Sequence, residues 1–297
     1  HVLLFVIYIA AISYLALRFG DSEMINEFNV AGLVDNATET LRQGLFLKFK
    51  PVNLDVLPLY IVLMGLFPPV LWFMLRQPNW TMAASIALWL VSRQMGWNLP
   101  AYPAGTWYFN PFAWQVLFVF GSWCAMGGAR KNMHIINSRY TLWFCIAYLI
   151  FALVMTMAGR FPEFGAQFPD WLYSMFNPND KTNLAPYRVL HFVVLAFFVT
   201  RFLPREWPGY EWPIFEPIIK SGQQSLEVFC AGVFLAVVAH VVLVEVSESL
   251  WMQIVVSVVG IVLMTVLAYY RSWSKKVDKA PKPPAAATTA AAAKPAE

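Results

Sequence analysis

Residues 223–245, QQSLEVFCAGVFLAVVAHVVLVE, decide the fold class. Between Glu227 and Glu245 the chain has no Asp, Glu, Lys or Arg. A run of roughly 20 apolar residues is long enough for a helix to cross a hydrocarbon core about 30 Å thick. Lipid offers the backbone no hydrogen-bond partner, so a run of this length has to satisfy its polar groups internally. The stretch therefore predicts a membrane-spanning helix.

The same pattern recurs through the chain. Of its 297 residues, 59% are hydrophobic and 13% are charged, whereas a soluble domain has about 25% charged residues. The sequence predicts an all-α polytopic membrane helix bundle with about eight transmembrane helices in this chain. The predicted spans are approximately 1–17, 55–75, 80–96, 112–128, 140–158, 188–203, 223–245 and 250–270.

Charge and cysteine usage exclude other classes. The net charge of +4 comes from residues scattered between apolar runs, so it forms no basic face for nucleic acid. Cys124, Cys145 and Cys230 all lie inside apolar runs without metal-ligand spacing. The sequence therefore predicts no metal site, no disulfide framework and no nucleic-acid partner.

Lys and Arg predict the orientation. Residues 1–270 form the predicted transmembrane domain, and 271–297 form a predicted disordered cytosolic tail. The tail is rich in Ala, Pro and Lys and has no apolar periodicity. Its basic residues place the C-terminus in the cytosol, and alternation places the 129–139 loop on the same side.

The connection 97–111, WNLPAYPAGTWYFNP, has no charged residue and leads into a span. One interpretation is an aromatic belt at the lipid headgroups. The other is a binding platform in which Trp107 and Trp114 contact the apolar face of a sugar. Asn110 and Gln115 would then bond its hydroxyl groups, since amides in hydrocarbon need partners.

Other polar residues fall near the predicted outer ends of spans. Arg188 and His191 are three residues apart and share one helical face. Arg93 and Asp55 belong to the same predicted depth. Intramembrane ionisable groups mark a candidate functional site, with snorkelling and helix capping as the structural alternative.

On the predicted inner side, Gln224 and Glu227 begin the seventh span and are also three residues apart. They are candidate substrate-binding residues, with capping and packing as the alternative. Inner basic residues such as Arg76, Arg130 and Arg139 are candidates for an anionic, phosphate-bearing ligand, or they satisfy the positive-inside rule.

Four stretches resemble the OpgC family of inner-membrane proteins. They are DVLPLYIVLMGLFPPVLWFMLRQP (55–78), LPAYPAGTWYFNPFAWQVLFVFG (99–121), NLAPYRVLHF (183–192) and SGQQSLEVFCAGV (221–233). The resemblance implies a multi-pass O-acyltransferase in the bacterial inner membrane. It would transfer a succinyl group from a cytosolic donor such as succinyl-CoA to periplasmic glucan. Membrane lipid and the glucan are the implied partners, acyl-CoA is the co-substrate, and no bound cofactor is expected.

The chain departs from that family at its start. Members of the wider acyltransferase group begin with two further helices that carry an Asp–x–x–Arg–Gly-like stretch and the favoured catalytic histidine. No such stretch occurs here, which predicts an N-terminally truncated protein of about ten helices when complete. Within this chain His191, beside Arg188, is the fallback catalytic base.

Two other functions stay open at the level of sequence. A transporter or flippase of a glycan or lipid-linked substrate would suit kinked helices and buried charges, although the internal repeats of many transporters are absent. A structural or sensory membrane protein would leave the uncharged aromatic loop unexplained. A flippase makes no ester, so a reaction product separates it from an acyltransferase.

Overall fold

The computed structural model describes residues 1–19, 27–177, 179–203 and 206–278. Throughout this described part the regular structure is helical, apart from one isolated β-bridge between Pro100 and Thr106. The predicted all-α class is confirmed. The α-helices are α1 Val2–Phe19, α2 Gly32–Leu45, α3 Val56–Arg76, α4 Pro78–Met95, α5 Pro111–Ala125, α6 Met133–Asn137, α7 Arg139–Arg160, α8 Pro162–Gly165, α9 Asp170–Phe176, α10 Pro186–Phe202, α11 Glu216–Gln223, α12 Ser225–Glu245 and α13 Leu250–Asp278.

The chain divides into two compact units, His1–Trp207 and Pro208–Glu297. In the first unit, the most extensive helix contact is between α4 and α5. Each of these helices has a proline in its first turn, where the missing N–H costs no helical hydrogen bond. Gly96 ends α4 in the left-handed conformation, with φ of 65°, and so turns the chain into the aromatic loop.

Helices α1 and α2 approach closely beside this loop. A Cβ added at Gly44 would lie 2.2 Å from the ring of Phe5, so only glycine allows the two helices to meet at this point. Phe5 in turn packs edge-on against Phe49. The segment 46–55, which joins α2 to α3, is thereby held against both helices.

In the second unit, α12 and α13 form an antiparallel pair. Residues near the start of α12 contact residues near the end of α13, and Gly232 lies against Met264 midway along both helices. Val233, Val237 and Val241 form a buried stripe on α12 with a period of four residues. This spacing keeps the three side chains on one helical face.

Four helices of the described part are long and apolar enough to cross a membrane, which indicates a membrane protein. They are Val56–Arg76, Arg139–Arg160, Ser225–Glu245 and Leu250–Val277. Two further apolar helices, Val2–Leu15 and Pro111–Ala125, are shorter. Residues predicted as the third and sixth spans are helical as α4 and α10, but they are not among these candidates. The predicted count of eight spans is therefore not confirmed.

The predicted tail begins inside a helix. Helix α13 continues to Asp278, past the boundary placed at residue 271. Arg271 and Lys275 bond to Glu227 on α12, which anchors these turns against the neighbouring helix. The rest of the predicted tail, residues 279–297, lies outside the described residues.

Candidate functional site

A short connection, residues 179–185, receives side chains from several helices. Arg93 of α4 donates from Nη1 to the carbonyl of Asn183 at 2.8 Å and to Oδ2 of Asp180 at 3.2 Å. Trp89, one turn earlier on α4, donates from Nε1 to the Leu184 carbonyl at 3.1 Å. The connection is therefore fixed on α4 through its backbone as well as through its side chains.

Asn110 binds the same connection from the start of α5. Its Nδ2 donates to Oδ1 of Asn183 at 3.0 Å and to the Trp97 carbonyl at 2.6 Å, while its Oδ1 accepts from the Phe112 N–H at 3.1 Å. The side chain is fully buried. Asn110 thus caps α5 and joins the aromatic loop to the 179–185 connection, and all of its polar atoms are used within the protein.

Trp114, one turn into α5, completes this arrangement. Its Nε1 donates to the Lys181 carbonyl at 3.1 Å, and its ring packs edge-on against Phe109, with ring centroids 4.9 Å apart. Asn110 and Trp114, two of the predicted binding residues, therefore position the 179–185 connection. This connection borders the cavity described next.

A cavity of about 840 Å³ lies between α7, α9, α10 and the 179–185 connection. Arg188 and His191, the predicted catalytic pair, both line it. Arg188 donates from Nε to Oδ1 of Asn179 at 2.7 Å, and the Tyr187 hydroxyl donates to the same oxygen at 2.8 Å. These bonds fix the Arg188 guanidinium at the cavity wall.

Tyr148 of α7 ties the opposite wall to α10. Its hydroxyl donates to the Tyr187 carbonyl at 2.7 Å, and its ring lies beside that of His191, with centroids 6.2 Å apart. The imidazole therefore lies between an aromatic wall and the cavity interior. The pair at i and i+3 faces one space, as the sequence spacing predicts.

The charge of the cavity has one sign. Arg160, Lys181 and Arg188 line it, and its lining residues include no Asp or Glu. The nearest acid along the chain, Asp180, bonds to Arg93 instead. Such a cavity favours ligands that carry negative charge or oxygen atoms on which negative charge develops.

Gln115 lies elsewhere. Its Oε1 accepts from the Ser85 hydroxyl at 2.6 Å, and its Nε2 donates to the Ser85 carbonyl at 2.8 Å. Both residues border a second, mainly apolar cavity of about 580 Å³ between α3, α4 and α5. Gln115 therefore joins α4 to α5 and does not face the cavity of Arg188 and His191.

Trp107 and Asp55 form a separate neighbourhood. The Nζ of Lys50 lies 3.7 Å from the centroid of the Trp107 ring, and only 3% of Trp107 is exposed. An ammonium group therefore covers one face of the Trp107 ring in this structure, and the role of Trp107 in binding a sugar stays a prediction. Asp55 precedes α3 and is half-buried.

The two charges of this neighbourhood influence each other. Burial lowers the pKa of the Lys50 ammonium to about 8, and the carboxylate of Asp55 opposes part of that fall. Burial likewise raises the pKa of the Asp55 carboxyl to about 6, with Lys50 acting in the opposite direction. Lys50 is not predicted from the sequence, where it is one of several basic residues between apolar runs.

Gln224 and Glu227 belong to the second unit and bond within it. Gln224 donates to the Ser272 hydroxyl at 3.3 Å and accepts from Lys275. Glu227 pairs with Lys275 at 3.1 Å and with Arg271 at 3.4 Å. These contacts join α12 to α13.

The structure therefore brings together Arg93, Asn110, Trp114, Arg188 and His191 around one connection. Gln115 borders the second cavity. Trp107 and Asp55 lie near Lys50, and Gln224 and Glu227 bond within the second unit. Sequence reasoning missed the cavity-lining residues Tyr148, Arg160, Asn179 and Lys181. The sequence signal for Arg160, Asn179 and Lys181 is the number of polar residues in the long connection 159–187, whereas Tyr148 lies inside the apolar run predicted as the fifth span.

Comparison with known protein families matches residues 1–276 to the family described as OpgC protein. This confirms the resemblance drawn from the sequence. A search of curated proteins gave no match, and a search of solved structures gave none.

Proposed function

The chain belongs to the OpgC protein family, and from that premise we propose that it is a membrane O-acyltransferase that acts in glucan modification. The acyl group is succinyl, the donor is a cytosolic thioester such as succinyl-CoA, and the acceptor is a hydroxyl of periplasmic glucan. The protein resides in the bacterial inner membrane with its C-terminus in the cytosol.

One observation carries this proposal beyond family membership. The 840 Å³ cavity combines a histidine with three cationic side chains and has no acid among its lining residues. Acyl transfer needs a group that accepts a proton and donors that stabilise an oxyanion. The cavity holds both kinds of group within one space.

The proposed reaction is an attack of the glucan hydroxyl on the thioester carbonyl. A C–O bond forms, the carbonyl oxygen becomes an oxyanion, and the C–S bond then breaks. A base removes the hydroxyl proton and returns it to the departing thiolate. Arg188 stabilises the oxyanion. If a histidine outside these 297 residues is the base, His191 orients the acceptor hydroxyl. If none is, His191 itself serves as the base.

The test is a succinyl ester assay in a bacterial strain that lacks this glucan modification. Arg188→Ala should lower ester formation by roughly ten- to a hundred-fold, because a lost hydrogen bond to a charged group is worth about 1.5–3 kcal/mol. His191→Gln should keep measurable activity if it orients the substrate, and should lose about 10²–10⁴-fold if it is the base.

Arg42→Ala is the matched control, since Arg42 is an exposed residue of α2 whose side chain bonds to Glu39. Protein levels in the membrane must be equal for all variants. Wild-type ester formation by Arg188→Ala would remove the cavity from the mechanism. A protein that alters glucan or lipid distribution without forming any ester would support the flippase alternative.

A further inference from the structure

The second cavity, between α3, α4 and α5, has room for a ligand and is not used by the proposed acyl transfer. Its volume is about 580 Å³, and binding sites for small molecules measure about 300–1,000 Å³. One wall follows α4 and the residue before it. The members of this wall are Gln77, Trp80, Thr81, Ala84, Ser85 and Leu88.

The polar groups inside this cavity bond within the protein. The Thr81 hydroxyl donates to the Gln77 carbonyl at 2.9 Å. The Ser85 hydroxyl donates to Gln115, whose Nε2 donates to the carbonyls of Ser85 and Phe112 at 2.8 and 3.2 Å. The described residues that line the cavity include no charged side chain. The interior therefore suits a hydrocarbon chain, whereas a charged succinyl group would lose its hydration there without compensation.

The cavity begins at the end of a candidate span. Helix α3 is long and apolar enough to cross a membrane, so Arg76, its last residue, lies where that span leaves the hydrocarbon. Phe73, three residues earlier, and Gln77, the next residue, both line the cavity. From Gln77 to Leu88 the wall is about 16 Å long at about 1.5 Å per residue. This length is close to half of a hydrocarbon core about 30 Å thick, which is the reach of an acyl chain in one leaflet.

Arg76 presents a positive charge at that end. The central carbon of its guanidinium lies 3.8 Å from the centroid of the Trp72 ring, and the residue is exposed. A guanidinium over a ring face can still direct its N–H donors at the oxygens of a phosphate. Arg76 belongs to the predicted inner side, and the cytoplasmic leaflet is the one that carries anionic lipid.

Tryptophans from three helices mark the same level. Trp72 of α3 is 47% exposed and Trp80 of α4 is 74% exposed. Trp123, near the end of α5, donates from Nε1 to Oδ1 of Asn79 at 3.0 Å. Tryptophan is enriched where a membrane meets water. The rings therefore indicate the headgroup level independently of the charge of Arg76.

We propose that the cavity between α3, α4 and α5 binds one anionic phospholipid of the inner leaflet. An acyl chain occupies the cavity beside Ala84 and Leu88, and the phosphate accepts hydrogen bonds from Arg76. One guanidinium balances one net negative charge, whereas a zwitterionic headgroup brings a cation of its own. The inference rests on this cavity and on Arg76, and it is independent of the proposed acyl transfer.

The experiment measures the thermal unfolding of the purified chain in detergent with added dioleoylphosphatidylglycerol. Dioleoylphosphatidylcholine is the zwitterionic comparison. We expect phosphatidylglycerol to raise Tm by several degrees and phosphatidylcholine to raise it less, because a ligand that binds the folded state stabilises it. Arg76→Gln should reduce the first response to the level of the second. Arg139→Gln is the matched control and should keep the full response, since Arg139 is exposed on the same predicted side and lies outside the cavity lining.

The cavity is tested separately from the charge. Ala84→Phe places a ring in the cavity and should lower the response to both lipids. Ala83→Phe changes an exposed neighbour outside the lining and should keep the response. Glycerol 3-phosphate, which carries the headgroup charge without a chain, should leave Tm unchanged.

Equal responses of wild type to the two lipids would overturn the proposal, as would a full response in Ala84→Phe. A response to glycerol 3-phosphate as large as that to the lipid would assign Arg76 to a free phosphate and overturn the lipid site. If a variant does not fold, wild type is photolabelled with phosphatidylglycerol that carries a diazirine on its acyl chain. Labelling should be several-fold higher at residues 80–88 than along α7, and equal labelling of both would refute the site.

Discussion

At the scale of single residues, Lys50 makes stability depend on pH. Its ammonium pKa falls from 10.5 to about 8 on folding, so the unfolded chain binds the proton more tightly. The penalty is present below pH 8 and disappears as pH rises towards 10.5, so this group's contribution to stability increases over that interval. The difference corresponds to about 3 kcal/mol.

We therefore predict that wild type gains stability relative to Lys50→Met when pH rises from 7.5 to about 10.5. Methionine has a similar length and no charge, so the variant lacks this titration. The measurement is the difference in unfolding free energy between the two proteins at each pH. A difference that stays constant across the interval would contradict the assigned burial of the ammonium.

Asn110 and Gln115 show how far reasoning from single residues extends. Both are amides in an apolar setting, and the sequence correctly indicates that each needs a partner. The partners themselves are Asn183 and Ser85, which lie 73 and 30 residues away along the chain. Nothing in local pattern or propensity identifies contacts at such separations, so a role in joining helices and a role in binding a ligand look alike in the sequence.

At the scale of elements, the 179–185 connection organises the first unit. It contains no regular helix, yet α4, α5 and α10 all bond to it through Arg93, Asn110 and Arg188 or their neighbours. The apolar pattern predicts helices from their periodicity, but a loop has no period. The sequence therefore locates the helices that surround the cavity and misses the loop that completes it.

We predict that Asn110→Ala loosens this connection. The substitution removes the bond to Asn183 and the cap of α5 together, which costs about 1.5–3 kcal/mol. Amide hydrogen exchange at residues 183–185 should accelerate by about ten- to a hundred-fold. Gln115→Ala is the matched control, because it removes an amide that bonds to Ser85 and should leave exchange at 183–185 unchanged. Equal acceleration in both variants would show only a general loss of stability.

At the scale of the whole molecule, the apolar surface of the candidate spans indicates that lipid surrounds them. The window of the Leu250–Val277 helix that qualifies as a span is 0% buried inside the protein, and the other three candidate spans are each 17% buried. Water does not tolerate so much contiguous apolar surface on a monomer, whereas lipid does. Composition alone predicts this apolar surface, because every helix that spans the hydrocarbon core needs apolar side chains. The number of spans is harder to predict, since a short or moderately apolar helix such as α10 can cross a membrane or pack beside one.

The final prediction concerns orientation, which the distribution of Lys and Arg determines. Basic residues near the end of α13 and in the 129–139 loop place both regions in the cytosol, because positive charges flanking a span are retained on that side. In a background where Cys124, Cys145 and Cys230 are replaced, a single cysteine at Ser274 or at Ser138 should resist a membrane-impermeant maleimide in intact spheroplasts. Each should react after the membrane is permeabilised. A cysteine at Gln167, in the long connection predicted to lie outside, should react before permeabilisation and thereby controls for reagent activity.

Labelling at Ser274 in intact spheroplasts would reverse the orientation. With α10 crossing the membrane as the sequence predicts, it would also place Arg188 and His191 on the cytosolic side, away from a periplasmic glucan.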